Sequence, residues 1–173
     1  VAGLIGPLLM VHSERSIELA KKAGDRLVEM QETNGGWRVG NGKILTGFSH
    51  GAAGIIAALS RLYAATGILR YANAAEKGLA FERSVYNAQM KNWPDLRYDS
   101  GNPKFAISWC HGAPGIALSR LCLVNSPLWN STIQEELESA LQSTAAMSNN
   151  NDNLCCGLFG RSSILRIASG LLD

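Results

Sequence analysis

The chain has 173 residues, of which 46% are hydrophobic, and a formal net charge of +2; this is enough for one domain with its own core. The charges are spread without blocks, which excludes the footprint of a nucleic-acid or anionic-membrane binder, and no apolar run approaches the ~20 residues that span a bilayer. Four cysteines are too few for a disulfide scaffold, so reduced thiols in a cytoplasmic protein are expected, with metal binding or catalysis as their uses.

In chain order the pattern is helical throughout. Residues 4–11 are apolar but short, and carry Pro7. Ser13-Glu14-Arg15 opens a helix in which Ile17, Ala20, Ala23, Leu27 and Met30 recur three or four apart, and Asn34-Gly35-Gly36 stops it. A second helix is predicted over 51–66, closed by Gly67. A third is predicted over 68–87, with Tyr71, Ala74, Ala75, Leu79 and Val85 on one side. Residues 92–104, with Pro94, Pro103 and several Asp, Asn and Gly, read as a loop. Two more helices are predicted over 112–125 and 131–147, the latter started by a Ser131-x-x-Gln134 capping box. Residues 148–153 read as an exposed loop, and a last helix starts near Gly157. Strand alternation is absent over any useful length. The first residue, Val1, and the run Leu171-Leu172-Asp173 in mid-helix both read as cuts in a longer protein.

Three loops between these helices are versions of one motif. Gly47-Phe48-Ser49-His50-Gly51-Ala52-Ala53-Gly54 is followed by Ser108-Trp109-Cys110-His111-Gly112-Ala113-Pro114-Gly115 and then by Asn153-Leu154-Cys155-Cys156-Gly157-Leu158-Phe159-Gly160. Aligned, Ser49, Cys110 and Cys155 share one column, and His50, His111 and Cys156 the next. Each copy holds x-x-Gly-x-x-Gly and runs into an apolar helix, and a second helix returns the chain. Helical hairpins repeating at roughly 60 and 45 residues pack side by side, because one hairpin cannot bury its own apolar face. If the motif helices run parallel, all their starts lie at one end, and Cys110, Cys155, Cys156 and His50 share a rim. Residues 1–5 read as the tail of a further copy.

The thiols admit two readings. Small thiols fill tight gaps between helices, and Cys122, inside Leu121-Cys122-Leu123, is assigned to packing. Cys110, Cys155 and Cys156 instead sit at glycine-rich loop-to-helix junctions in equivalent columns, which favours a metal. Three protein ligands leave the fourth position of a tetrahedral zinc open, the mark of a catalytic site. Three thiolates outweigh a dication, so such a centre polarises carbonyls poorly and suits a fourth thiolate that stays electron-rich. Thiol addition is therefore favoured over hydrolysis. Addition to an electron-poor alkene creates an enolate that needs a proton, and His50 is the natural donor; the competing reading is a helix-start histidine bonded to backbone. His111 either orients substrate, supports the metal or only mirrors His50. Trp109 is a pocket wall or core, Trp37 is core, and His12 has no role.

In order, Gly-Phe-Ser-His-Gly-Ala-Ala-Gly, Trp-Cys-His-Gly-Ala-Pro-Gly and Cys-Cys-Gly, with Asn34-Gly35-Gly36-Trp37 before them, resemble the lanthionine synthetase C-like cyclases. The nearest likeness is to the cyclase domain of class II lanthipeptide synthetases (LanM type). The resemblance covers nearly the whole chain. It implies an all-α fold, an α/α toroid with an inner ring of parallel helices inside an outer ring, present here as a partial toroid within one cyclase domain that is truncated at both ends. By match to the motifs, Cys110 and Cys155 are zinc ligands and His50 is the acid/base. Most members take the third ligand from a histidine where this chain has Cys156, and this departure resembles a subgroup with three cysteine ligands that cyclises many different peptides. The implied reaction adds a cysteine thiolate to dehydroalanine or dehydrobutyrine, forming (methyl)lanthionine. Its partners are a precursor peptide with a leader segment and a dehydratase domain of the same synthetase; Trp109 and His111, beside the expected metal, are the candidate substrate contacts by position alone. An Asp that the family uses falls before Val1. The rivals are a thiol-binding relative that holds glutathione without cyclising, and a structural helical repeat. A toroidal glycosidase lacks its carboxylate pair at the motif loops.

Overall fold

The periodic segments form seven α-helices in a computed structural model that describes residues 1–40, 42–98, 101–146 and 152–172. They are α1 (Ala2–Met10), α2 (Glu14–Glu29), α3 (Ala52–Thr66), α4 (Leu69–Ser84), α5 (Ala113–Leu121), α6 (Ser131–Ala146) and α7 (Leu158–Leu172). No strand occurs among the described residues, only four isolated bridges that pin loops, such as Ile107 with Gly112.

Local chemistry sets the helix ends. Ser13 and Ser16 form a reciprocal capping box at the start of α2. Gly67 closes α3 at φ 68°, a left-handed conformation that glycine adopts without Cβ strain. The cap of α6 falls one residue before the expected Ser131: Asn130 Oδ1 accepts the Ile133 N–H at 3.1 Å, while Gln134 reaches forward to Glu138. Asparagine, with a short acceptor arm, takes the cap in place of the serine that follows it. Two helices are shorter than predicted: α4 ends at Ser84 and α5 at Leu121. Beyond Leu121 the chain turns, and Asn125 takes φ 63°. The apolar run near the start is itself helical, with Pro7 inside α1. Of the expected loop at 148–153, residues 148–151 lie outside the described residues.

The helices stack as hairpins. Helices α1, α3, α5 and α7 each contact the next in that series, and α2, α4 and α6 back them, α4 against α3 and α6 against α5. This is an arc with an inner and an outer layer, the partial α/α toroid expected from the sequence. Inner helices are rich in alanine and glycine where they meet: Ala52, Ala53, Ala57, Ala113 and Ala117 are at most 2% exposed. One part of the core lies around Trp37, Leu59, Tyr71 and Leu79, the other around Trp93, Ile116, Leu137 and Ile164. Trp37 is core as expected, and its indole N–H donates to the Leu27 carbonyl at 2.7 Å.

A buried ion network ties three hairpin elements together. Arg120 of α5, fully buried, donates to Glu82 of α4 at 2.7 Å and to Glu136 of α6 at 2.8 Å. Burial would lower the Arg120 pKa, but the two carboxylates outweigh it and hold the guanidinium charged. Burial also pushes the Glu82 carboxyl above the usual range, against the pull of Arg120. The Gly47 backbone also helps to pull the Glu82 pKa down, so the influence of the first motif reaches the network.

Candidate metal centre

The three motif loops close in the same way. The last glycine of each copy lies under a carbonyl six residues earlier: Gly54 under Phe48, Gly115 under Trp109 and Gly160 under Leu154, and a methyl group at any of them would overlap that oxygen. One backbone closure is thus repeated at the starts of α3, α5 and α7, with the residues of the two columns in the loop before each helix.

The loops are also joined to one another. The Trp109 N–H donates to the Cys155 carbonyl at 3.1 Å, linking the second and third copies through main chain. Gly47, at φ 96°, packs against the Cys110 carbonyl and the His111 Cα so closely that no side chain fits, linking the first copy to the second. In the third copy, Asn153 Oδ1 accepts the Cys156 N–H at 2.7 Å and fixes the turn that presents both sulfurs. As a result the thiols of Cys110, Cys155 and Cys156 lie within 4.8 Å of one another. Cys110 is buried, with Ser108 Oγ 3.3 Å from its sulfur, and Cys155 and Cys156 are exposed.

This donor set fits a metal. Thiolates on one tetrahedral zinc, each about 2.3 Å from the ion, sit about 3.8 Å apart, so the sulfurs need to close by no more than about 1 Å. Without a cation Cys155 resists ionisation: hydrogen bonding to Cys110, then burial and the Cys156 thiol, push its pKa up to about 12. A divalent cation reverses that balance, because it compensates the sulfurs' charge and takes them as thiolates. The cluster is compatible with zinc.

His50 stands exposed at the neighbouring corner, its ring stacked on His111 with centroids 5.7 Å apart and planes at 27°. His111 is only 1% exposed and faces His50, away from solvent. Its pKa is lowered by burial, against the opposing charge of Asp95. Trp109 is half-buried and tilts on Phe48 at 6.0 Å. Phe48, His50 and Trp109 line one end of a cavity of about 640 Å³ that runs along α1 and α3 to Arg61. A second cavity of about 310 Å³, between α4 and α6, holds none of the expected residues. Cys122 packs beside the core, with Arg61 donating to its sulfur at 3.2 Å. His12 is exposed beyond α1.

Two supports of the site lay in the segment that reads only as a loop. Asn92, 1% exposed, accepts the Trp93 and Ala113 N–H groups and donates to the Ala106 carbonyl. It thereby satisfies an orphan donor at the start of α5 from outside that helix. Asp95, 3% exposed, is held by Arg97 at 2.6–3.1 Å. Burial opposes its ionisation, yet Arg97 keeps its pKa below the usual value. The available signal was a Trp embedded among Asn, Pro and Asp, which marks a loop tied down by a large apolar anchor.

A sequence profile described as lanthionine synthetase C-like protein matches residues 2–173. The chain belongs to the lanthionine synthetase C-like family. Comparison with curated proteins finds no significant match. Among solved structures, nisin cyclase is similar in fold, with a TM-score of 0.75 and 19% identity over 98% of this chain. This lanthionine synthetase C-like chain spans 48% of that one's length. The family assignment and the partial toroid agree with what the motifs imply.

Proposed function

We propose that the chain is part of a zinc-dependent cyclase domain that closes thioether rings in a dehydrated precursor peptide. The observation that carries this is the meeting of three thiols, from two motif copies, within 4.8 Å of one another. Cys110, Cys155 and Cys156 would hold zinc, and the chemistry it supplies is to keep a substrate cysteine deprotonated and nucleophilic. The chain's own residues do the rest. Addition of the thiolate to the β-carbon of dehydroalanine or dehydrobutyrine moves an electron pair toward the amide, and His50 delivers a proton to the α-carbon. Trp109 and Phe48 wall the space beside His50 and position the peptide. The whole enzyme is a class II synthetase: a dehydratase domain supplies the alkene, a leader segment tethers the substrate, and the reaction runs in the cytoplasm. The three-cysteine ligand set makes the sulfur more reactive and relaxes the demand for tailored substrate contacts.

The test uses the full-length protein. Metal analysis should give one zinc per chain, and dehydrated peptide should lose its thiol-alkylation mass tag on incubation. Cys110→Ala should abolish both. One bound zinc with a retained thiol ligand such as glutathione, and no ring closure, would establish the binding protein instead. No stoichiometric metal would mean that the cysteines only pack.

A further inference from the structure

His50 has no hydrogen bond among the described residues to orient its ring, although a proton donor must be aimed. The ring that meets it is His111. That residue is 1% exposed, so it cannot reach a peptide in the open cavity without leaving the core. Its backbone is pinned, since Ser108 Oγ accepts its main-chain N–H at 3.3 Å and its carbonyl accepts the Ser108 N–H at 3.1 Å, and the Thr46 backbone and the charge of Asp95 act on its imidazole. Asp95 is fixed in turn by Arg97 and by its own N–H on the Lys104 carbonyl at 2.7 Å. His111 Nε2 meets no hydrogen-bond partner among the described residues. What His111 offers to His50 is therefore the face of a buried ring, at 5.7 Å and 27° from the His50 ring.

We infer that His111 is a positioning residue, a buried plate against which the His50 imidazole stacks so that its nitrogen is aimed at the reacting carbon. The inference rests on the proposed cyclase function. It assigns His111 to act through His50, with no contact to substrate and no bond to the metal. Small misplacement of a proton donor costs on the order of 10²-fold in rate, which sets the size of the effect.

The test is a double-mutant cycle on the full-length enzyme with dehydrated peptide. His111→Ala should lower kcat by about 10- to 100-fold while KM and zinc content stay as in the parent. His111→Phe, which keeps a flat ring and gives up the nitrogens, should restore most of kcat. In a His50→Ala background, His111→Ala should add no further loss. An independent readout is the NMR signal of the His50 ring protons: the shift caused by the neighbouring ring should vanish in His111→Ala and persist in His111→Phe, whether or not the variant turns over. Multiplying losses, a raised KM at unchanged kcat, or loss of zinc would each overturn the assignment. If His50→Ala itself cyclises at the parent rate, the proton-donor role fails, which is a different result from additivity at His111.

Discussion

Replacing Arg120 with methionine tests how much the hidden ion network contributes to the fold. The guanidinium is fully buried, 2.7 Å from Glu82 and 2.8 Å from Glu136. Glu136 is 11% exposed and keeps Arg83, so it loses little. Glu82 is 0% exposed, its Oε1 already lacks a partner among the described residues, and Arg120 is the cation that compensates it. Leaving one member of a buried pair without its partner costs about 3–5 kcal/mol, and the single stranded carboxylate puts Arg120→Met near about 4 kcal/mol. For a chain of this size that is about a 10 °C fall in Tm. The loss must also depend on pH. Burial holds the folded-state pKa of Glu82 above its unfolded value, and removing Arg120 raises it further. A raised acid favours the protonated form in the folded state, so its contribution is fully present below the unfolded pKa and is lost as pH rises through the folded one. The penalty is therefore greatest at neutral pH and shrinks toward pH ~5. Urea unfolding followed by circular dichroism at several pH values measures it, and Glu82→Gln in the Arg120→Met background should recover most of the loss at neutral pH. A pH-independent loss below about 1 kcal/mol, within the range of exposed pairs, would refute the reasoning.

Other outcomes are expected at the site. Cys156→His should leave zinc bound but slow ring closure, because a neutral imidazole leaves the metal less electron-rich; equal rates would count against the charge argument. Gly160→Ala drives a methyl group into the Leu154 carbonyl beside Cys155 and should lower zinc content, measured by metal analysis. Gly170→Ala, in open space on the same helix, should change zinc content not at all and raise stability by about 0.5–1 kcal/mol. Zinc uptake must displace the Cys155 proton, which the other thiols hold to about pH 12. Affinity should therefore rise with pH, with acid released on binding; calorimetry in buffers of different ionisation enthalpy would detect this, and a pH-independent affinity would exclude a thiolate site.

The repeated motif made most of this readable in advance, because Gly-x-x-Gly at fixed offsets encodes a backbone closure and the helices carry a 3.6-residue apolar period. Cys110, Cys155 and Cys156 could be gathered on paper for the same reason: columns in a repeat become neighbours when the repeats stack. What escaped depends on contacts between distant residues. Nothing local in Asn92 announces that its side chain caps a helix starting at Ala113, nor in Arg120 that two carboxylates from other helices wait for it. His111 looked equivalent to His50 in the alignment, yet packing buried one and exposed the other. The Asn130 cap was missed for a smaller reason, since two good capping residues stand side by side there and the serine matched the longer pattern.

The bond from the Trp109 amide to the Cys155 carbonyl belongs to the peptide skeleton and uses neither sulfur nor ring. The identity of the side chains gathered there is thereby uncoupled from the shape of the loops. Imidazole can be exchanged for sulfur in the gathered columns without redrawing the frame, which makes this end of the arc a place to retune reactivity by single-letter changes.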